Sequence, residues 1–505
     1  MAPCKYCGLV EDRGAGVPAT YPSNDTTSPP TGDLRRDLEE LESQIAQVEA
    51  SLEHLRSKAM VLKKRINQHF APVLRLPPEV TAKIFEDCIP QIFWCTEDPT
   101  LHSKIMPNAS IPLVIGKVCR AWRHQAWSTP KLWSSISLLL DRRTPVDCEL
   151  LKEWILRSGR SPLSIHLRLD RTMTTARNVI QCILSMVAEC CERWRDVYLA
   201  LPLSLYSNFD FISDRLPLLT TLCLDLGMED RGRQLQHFST APQLRHVEIF
   251  RYHPALVNIA FGQVTHLSLS FVGIEHCIDV LSCAPIHSHY SFLNICSRNE
   301  NHPLPLLIAP VGSLELGMYN TPSFIRFLDS LSLPAVQALR IDAMWCGLPR
   351  SSLISLVSRS GCSLQRFGLI KCRCSSSELR AFFQAIPSLV ELEVNRSTIS
   401  DGGLFQLLGV SENDSDTMLP NLRALKLVDQ NDPDISELAT MILSRWRNTS
   451  DGVAQFSSVQ VRINQWQDSH PQIRIVVKEE MHSLLRQLIA EGLEISIKDK
   501  DKVIL

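Results

Sequence analysis

The chain has 505 residues, 45% hydrophobic and 21% charged, which excludes a wholly disordered polymer and leaves room for about three domains. Lys+Arg 52 against Asp+Glu 54 gives a net charge of −2, so no global positive field exists to hold a phosphate backbone and no nucleic-acid partner is expected. The 17 cysteines are too thinly spread for a secreted disulfide scaffold, and no apolar run reaches the ~18 residues of a membrane span; a soluble cytoplasmic or nuclear protein with reduced thiols and no membrane contact is expected.

Residues 1–32 read as a disordered leader, because Pro18, Pro22, Pro29 and Pro30 stand among Ser, Thr, Asn and Gly with little to bury. Its Cys4-x-x-Cys7 pair is half of a tetrahedral zinc site, and no second pair follows within reach. Ordinary thiols are expected there.

Over 33–70 the pattern changes. Leu34, Leu38, Leu41, Ile45, Val48, Leu52, Leu55, Ala59, Leu62 and Ile66 alternate steps of four and three without a Gly or Pro. This is a heptad seam of about five repeats, and a helix of that length is too long to hide a narrow stripe on a small globule. A coiled coil is expected. Parallel self-pairing would set Asp37 against Glu42 and Lys58 against Lys63, both repulsive. The first half is acid-rich and the second basic, so antiparallel self-pairing or a heterotypic coiled-coil partner is expected instead.

Next, Pro77 and Pro78 open a helix where missing N–H groups cost nothing, with Glu79 in the first turn and Val80, Ile84 and Cys88 on one face. A polar, Pro-interrupted stretch at 91–110 precedes a second helical segment with Val118, Cys119, Trp122 and Trp127. Pro130-x-Leu132-Trp133 then starts another element. The spaced set Leu76-Pro77-x-Glu79-Val80-x3-Ile84-Phe85, Val118-Cys119-x2-Trp122-Arg123 and Pro130-x-Leu132-Trp133 resembles an F-box over 73–137. An ordinary F-box lacks the insertion at 91–110. With the preceding heptads, the arrangement resembles the F-box proteins abundant in mushroom-forming fungi.

The resemblance implies binding of the Skp adaptor of a cullin-RING (SCF-type) ubiquitin ligase, and through it the cullin. Leu76, Pro77, Val80, Ile84, Phe85, Val118, Cys119, Trp122 and Trp133 are the positions carried over. A helical segment of ~60 residues has little core and leaves large apolar groups for a partner. Some of the nine must pack internally, and the spacing does not say which.

Beyond residue 150 one template recurs, Pro-x-Leu-x2-Leu-x-Leu: Pro217/Leu219/Leu222/Leu224, Pro242/Leu244/Val247/Ile249, Pro334/Val336/Leu339/Ile341, Pro387/Leu389/Leu392/Val394 and Pro420/Leu422/Leu425/Leu427. Copies without the Pro start at Trp194, Val264, Val311 and Leu364, with a degenerate one at His287. The steps between first positions run from 20 to 33 residues, centred in the range of leucine-rich repeats. The segments 323–332, 351–359, 376–385 and 434–447 carry helical spacing, several with Ser or Asp as candidate N-caps.

A mixed α/β fold is therefore expected: coiled-coil helix, small all-α F-box, then an irregular solenoid over 150–505, a horseshoe with a parallel sheet. Leu364-x2-Phe367-x-Leu369-x2-Cys372 resembles the cysteine-containing repeat of many F-box proteins. Residues 411–417 read as an acidic surface loop, and 479–505 as a C-terminal cap.

Side chains beside the second and third apolar positions share the sheet's other face. Among these, His246, Glu248, Phe250, His266, Arg340, Asp342, Arg366, Glu391 and Glu393 are the candidate substrate-binding residues. Their mixed charge suits a protein target and names none. No P-loop, GxGxxG nucleotide fingerprint, HExxH or GxSxG is present, so no catalytic residue, metal or cofactor is expected. A substrate receptor of a ubiquitin ligase is the leading expectation; a non-ligase interaction scaffold with a diverged F-box is the alternative.

Overall fold

The computed structural model describes residues 31–89, 111–140, 148–169, 177–227, 234–296, 304–318, 321–410, 417–430, 434–447, 453–463, 479–499 and 502–503. Cys4 and Cys7, the leader up to residue 30, the insertion at 91–110 and the acidic loop at 411–416 lie outside them. The chain divides into two compact units, Met1–Pro78 and Glu79–Leu505.

In the first unit a single helix, α1 (Thr31–Phe70), spans 40 residues, roughly 60 Å. Every described seam residue is exposed, from Leu34 at 64% through Leu52 at 44% to Ile66 at 55%. A 3₁₀ turn, Pro72–Arg75, follows, and Leu76 leaves it with extended backbone.

The second unit opens with α2 (Pro78–Asp87), α3 (Ile111–Val118) and α4 (Arg120–Trp127). Its strands are β1 (Ser135–Leu140), β2 (Leu163–Leu169), β3 (Trp194–Ala200), β4 (Thr221–Asp225), β5 (His246–Phe250), β6 (His266–Ser270), β7 (His289–Ile295), β8 (Leu307–Ile308), β9 (Ser313–Met318) and β10 (Leu331–Ser332). They continue with β11 (Ala338–Asp342), β12 (Arg366–Ile370), β13 (Arg373–Cys374), β14 (Glu391–Asn395), β15 (Thr398–Ile399), β16 (Ala424–Gln430), β17 (Ser458–Ile463), β18 (Glu494–Asp499) and β19 (Lys502–Val503). Fifteen of them form one sheet whose strand order is the chain order; β8 pairs with β10 and β13 with β15 in two small side sheets. Every pairing in the large sheet is parallel except the last, β18 with β19.

All ten copies of the leucine template lie on strands of this sheet. The register aligns the same template position across neighbours, as in Leu222↔Val247↔Leu267↔Tyr290↔Leu314↔Leu339↔Phe367↔Leu392↔Leu425. These residues are buried, each stabilising the fold by about 1.5–3 kcal/mol through area removed from water. Their face meets the helices: the Phe367 ring of β12 lies 4.8 Å from that of Phe382 in α10 (Ser376–Phe383), after α5 (Cys148–Arg157), α6 (Arg177–Glu189), α7 (Ile274–Ser282), α8 (Thr321–Asp329) and α9 (Arg350–Ser360). Helices α11 (Leu404–Leu408), α12 (Ile435–Trp446) and α13 (Glu479–Ala490) complete the series.

Asp434 is the expected cap of α12, accepting from the Ser436 and Glu437 amides. At α10 the cap falls one residue before the expected Ser376: Ser375 forms a full capping box with Glu378, and Ser376 is inside the helix. Ser351 likewise lies inside α9, which Pro349 precedes. Other units are irregular: a 3₁₀ segment, Leu203–Ile212, links β3 to β4, and another, Phe261–Gln263, precedes β6.

The sheet is longer than its template. It begins at Ser135, inside the stretch the sequence assigns to the F-box, and β1, β2, β17 and β18 join it outside the ten template copies. One core runs from Phe85 through Trp133 and Ile136 to Ile497, so α2, α3 and α4 are continuous with the sheet's first end.

A repeated turn follows the strands. Arg251, Phe271, Lys371 and Arg396, each directly after a strand, have left-handed φ of 64°, 55°, 45° and 48°. Left-handed backbone costs a non-glycine residue on the order of 1 kcal/mol. Each of their amides donates to a carbonyl at the end of the next strand, Ser270, Leu293, Asn395 and Val428, at 2.8–3.0 Å, which offsets the strain.

Candidate protein-interaction surfaces

The helices α2 and α3 each have two apolar sides. In α2, Thr81 and Phe85 face inward while Val80 and Ile84, one turn apart, are 44% and 45% exposed. In α3, Ile115 is buried while Val114 and Val118 are 56% and 61% exposed. A stripe of aliphatic groups in water on a helix whose other side is core is the pattern of a surface that meets a partner.

The nine positions from the F-box resemblance therefore separate. Val80, Ile84 and Val118 are exposed, and Leu76, in the first unit with Pro77, is 38% exposed. Phe85 and Trp133 are each 2% exposed. The Phe85 ring packs edge-on to Trp122 at 5.1 Å, and Trp133 packs edge-on to Trp154 at 4.6 Å while its indole N–H donates to the Ala126 carbonyl at 2.8 Å. Cys119 is the N-cap of α4, its Sγ accepting from the Trp122 amide at 3.4 Å, which is a positioning task. Spacing alone missed Val114 and Trp127, the latter 45% exposed beneath the Arg157 guanidinium at 4.4 Å.

The second surface is the sheet face away from the helices. Strand alternation and register put all nine candidate substrate residues on it, as the pairings His246↔His266, Arg340↔Gly368, Gly368↔Glu393 and Arg366↔Glu391 require.

Several are already engaged within the chain. Arg340 donates to Glu393 at 3.3 Å, two strands away, passing over Gly368 on the strand between. Asp342 is 5% exposed and accepts from Lys371 at 2.9 Å, and Glu391 pairs with Lys426 at 3.5 Å. Asp429 holds both Arg396 and Arg462 at 2.9 Å. Arg366 is exposed at the start of β12.

Toward the other end the face is aromatic. His166 stacks on Tyr198 at 4.3 Å, and Tyr198, Ala200 and Cys223 form a small second cluster with Phe250 against it. Beside them His246, His266 and His289 stack in a ladder, rings 4.4 and 4.8 Å apart. Burial pulls the His246 imidazole below its ordinary value against an opposing pull from Asp196; burial, then the charges of its two ladder neighbours, lowers His266. His289 is the third rung. Its position two residues past a template start, like His246 and His266, is the signal that aligns it.

Stacked rings do not converge on a point, and among the described residues no group of three or more His, Cys, Asp or Glu side chains is arranged to hold a metal ion. Among the same residues no helix is long and apolar enough to cross a membrane. No protein-family model matches the chain, and no curated protein matches it either.

Proposed function

We propose that the chain is the substrate-recognition subunit of an SCF-type cullin-RING ubiquitin ligase, in which the F-box-like helices hold a Skp-type adaptor and the sheet face holds a protein target. In this reading the parallel sheet belongs to an irregular leucine-rich-repeat solenoid. The single observation that carries the adaptor half is the pair of exposed aliphatic stripes, Val80/Ile84 and Val114/Val118, on helices whose opposite sides are core. The motif resemblance over 73–137 supplies the identity of the partner. For the target half, the support is a polar, ion-paired and aromatic face fifteen strands wide.

The chain would contribute no bond-making group. Its contribution is proximity: tethering a target near the charged conjugating enzyme raises the effective concentration of its lysines.

Co-purification of the full chain with a Skp-type adaptor tests this. Two double variants, Leu76→Ala/Pro77→Ala and Val80→Asp/Val118→Asp, are expected to abolish the complex, since loss of hot-spot aliphatics costs about 2 kcal/mol or more. Undiminished binding by variants that retain the wild-type circular dichroism would refute the adaptor role. It would leave the non-ligase scaffold as the reading.

A further inference from the structure

The exposed seam of α1 can pair with a second copy of itself. Its core positions are Leu38, Ile45, Leu52, Ala59 and Ile66 in one row, and Leu34, Leu41, Val48, Leu55 and Leu62 in the other. Reversing a second copy about a two-fold axis at Ala50 seats every member of one row against the other. Leu34 meets Ile66, Leu38 meets Leu62, Leu41 meets Ala59, Ile45 meets Leu55 and Val48 meets Leu52 of the second copy. No seam residue is left without an apolar counterpart.

The flanking positions distinguish the orientations. When the two-fold axis lies across the helices, each flank faces its own kind. One flank then pairs Asp37 with Arg65, Gln44 with Lys58 and Ser51 with itself. The other pairs Glu42 with Arg56, Arg35 with Lys63 and Glu49 with itself. By symmetry this gives four attractive contacts against three repulsive ones. Parallel pairing gives four repulsive contacts, Asp37 with Glu42 and Lys58 with Lys63 each twice, and no attractive one.

We infer that the occupant of this seam is a second copy of the same chain, antiparallel and centred on Ala50. The dimer joins two chains through α1, whose 40 residues span roughly 60 Å. This conclusion is independent of the adaptor reading, because it uses only residues 34–66.

The test is self-association of the full chain by sedimentation equilibrium, for wild type, Glu42→Arg, Arg56→Glu and the double variant. All are exposed positions, so folding is not at stake. A wild-type dimer is expected, weakened on the order of tenfold by either single reversal and restored by the double, because each pair is worth a few tenths of a kcal/mol and occurs twice. Parallel pairing gives the opposite sign for Glu42→Arg, since the new arginine would meet Asp37 and tighten the dimer. A tighter dimer, an unchanged one, or a chain that stays monomeric at about 100 μM overturns the inference.

Discussion

Arg340 lies across Gly368. A β-carbon at position 368 would come within 2.7 Å of Arg340 Cγ, closer than real side chains approach. The glycine therefore serves as a window through which one strand's guanidinium reaches Glu393, two strands away.

Gly368→Ala closes that window. The substitution should displace Arg340 and cost about 1 kcal/mol, the worth of a partly exposed ion pair and its packing, despite alanine's better backbone entropy. A double-mutant cycle by thermal melting checks it: in the Arg340→Ala background the same change should be neutral or stabilising.

The histidine ladder predicts an acid-side loss of stability. His246 and His266 have folded-state affinities for protons below the ordinary value of 6.5, so the unfolded chain binds protons first as pH falls. Above that value both states are neutral and the ladder contributes no pH dependence. As pH falls from about 6.5 through the lower folded values, stability should decline. His266→Gln should flatten the decline in melting temperature between pH 7 and 5; an unaltered slope would place the sensitivity elsewhere.

Arg445 is 0% exposed and donates to the carbonyls of Leu408, Met418 and Leu419. Burial pulls its guanidinium down to about 10, still charged at neutral pH. It thereby pins the two ends of the segment that precedes β16 to α12. Arg445→Met leaves three carbonyls bare and should cost about 3 kcal/mol locally. Amide exchange measured by mass spectrometry should lose protection over residues 417–423 and 435–446, with β3 to β6 unchanged.

The helical end separates core from surface. Trp133→Ala should cost about 3–5 kcal/mol by opening a cavity against Trp154, whereas Val118→Ser should stay within about 0.5 kcal/mol. Chemical denaturation followed by tryptophan fluorescence measures both, and similar costs would contradict the burial pattern.

How far the residues announce this architecture varies along the chain. The template Leu-x2-Leu-x-Leu marks ten strands because a half-buried strand needs apolar groups two apart, and its repeat fixes their register with neighbours. β1 and β17 escape it: ahead of β1, Pro130-x-Leu132 is followed by three residues and not two before Ile136, and ahead of β17 an aromatic, Phe456, stands at the first position with no proline at 454. Lys371 and Arg396 in left-handed turns are equally silent, because the turn is held by amides of the main chain and not by a glycine. In α2 an i, i+4 pattern admits Val80/Ile84 as readily as Thr81/Phe85 for the inner side. Only tertiary packing chooses. Arg445 offers no sequence signal for the opposite reason: a lone cation in a helix reads as a solvated one.

Strand order equal to chain order bears on how the protein is made. Each strand after the first pairs with the one that precedes it in the large sheet, so the sheet can extend as the chain is made, each step closing only one crossover of a few tens of residues. Among the described strands of the large sheet only β19 turns back, antiparallel on β18, and its two residues leave a short edge with little to offer another chain.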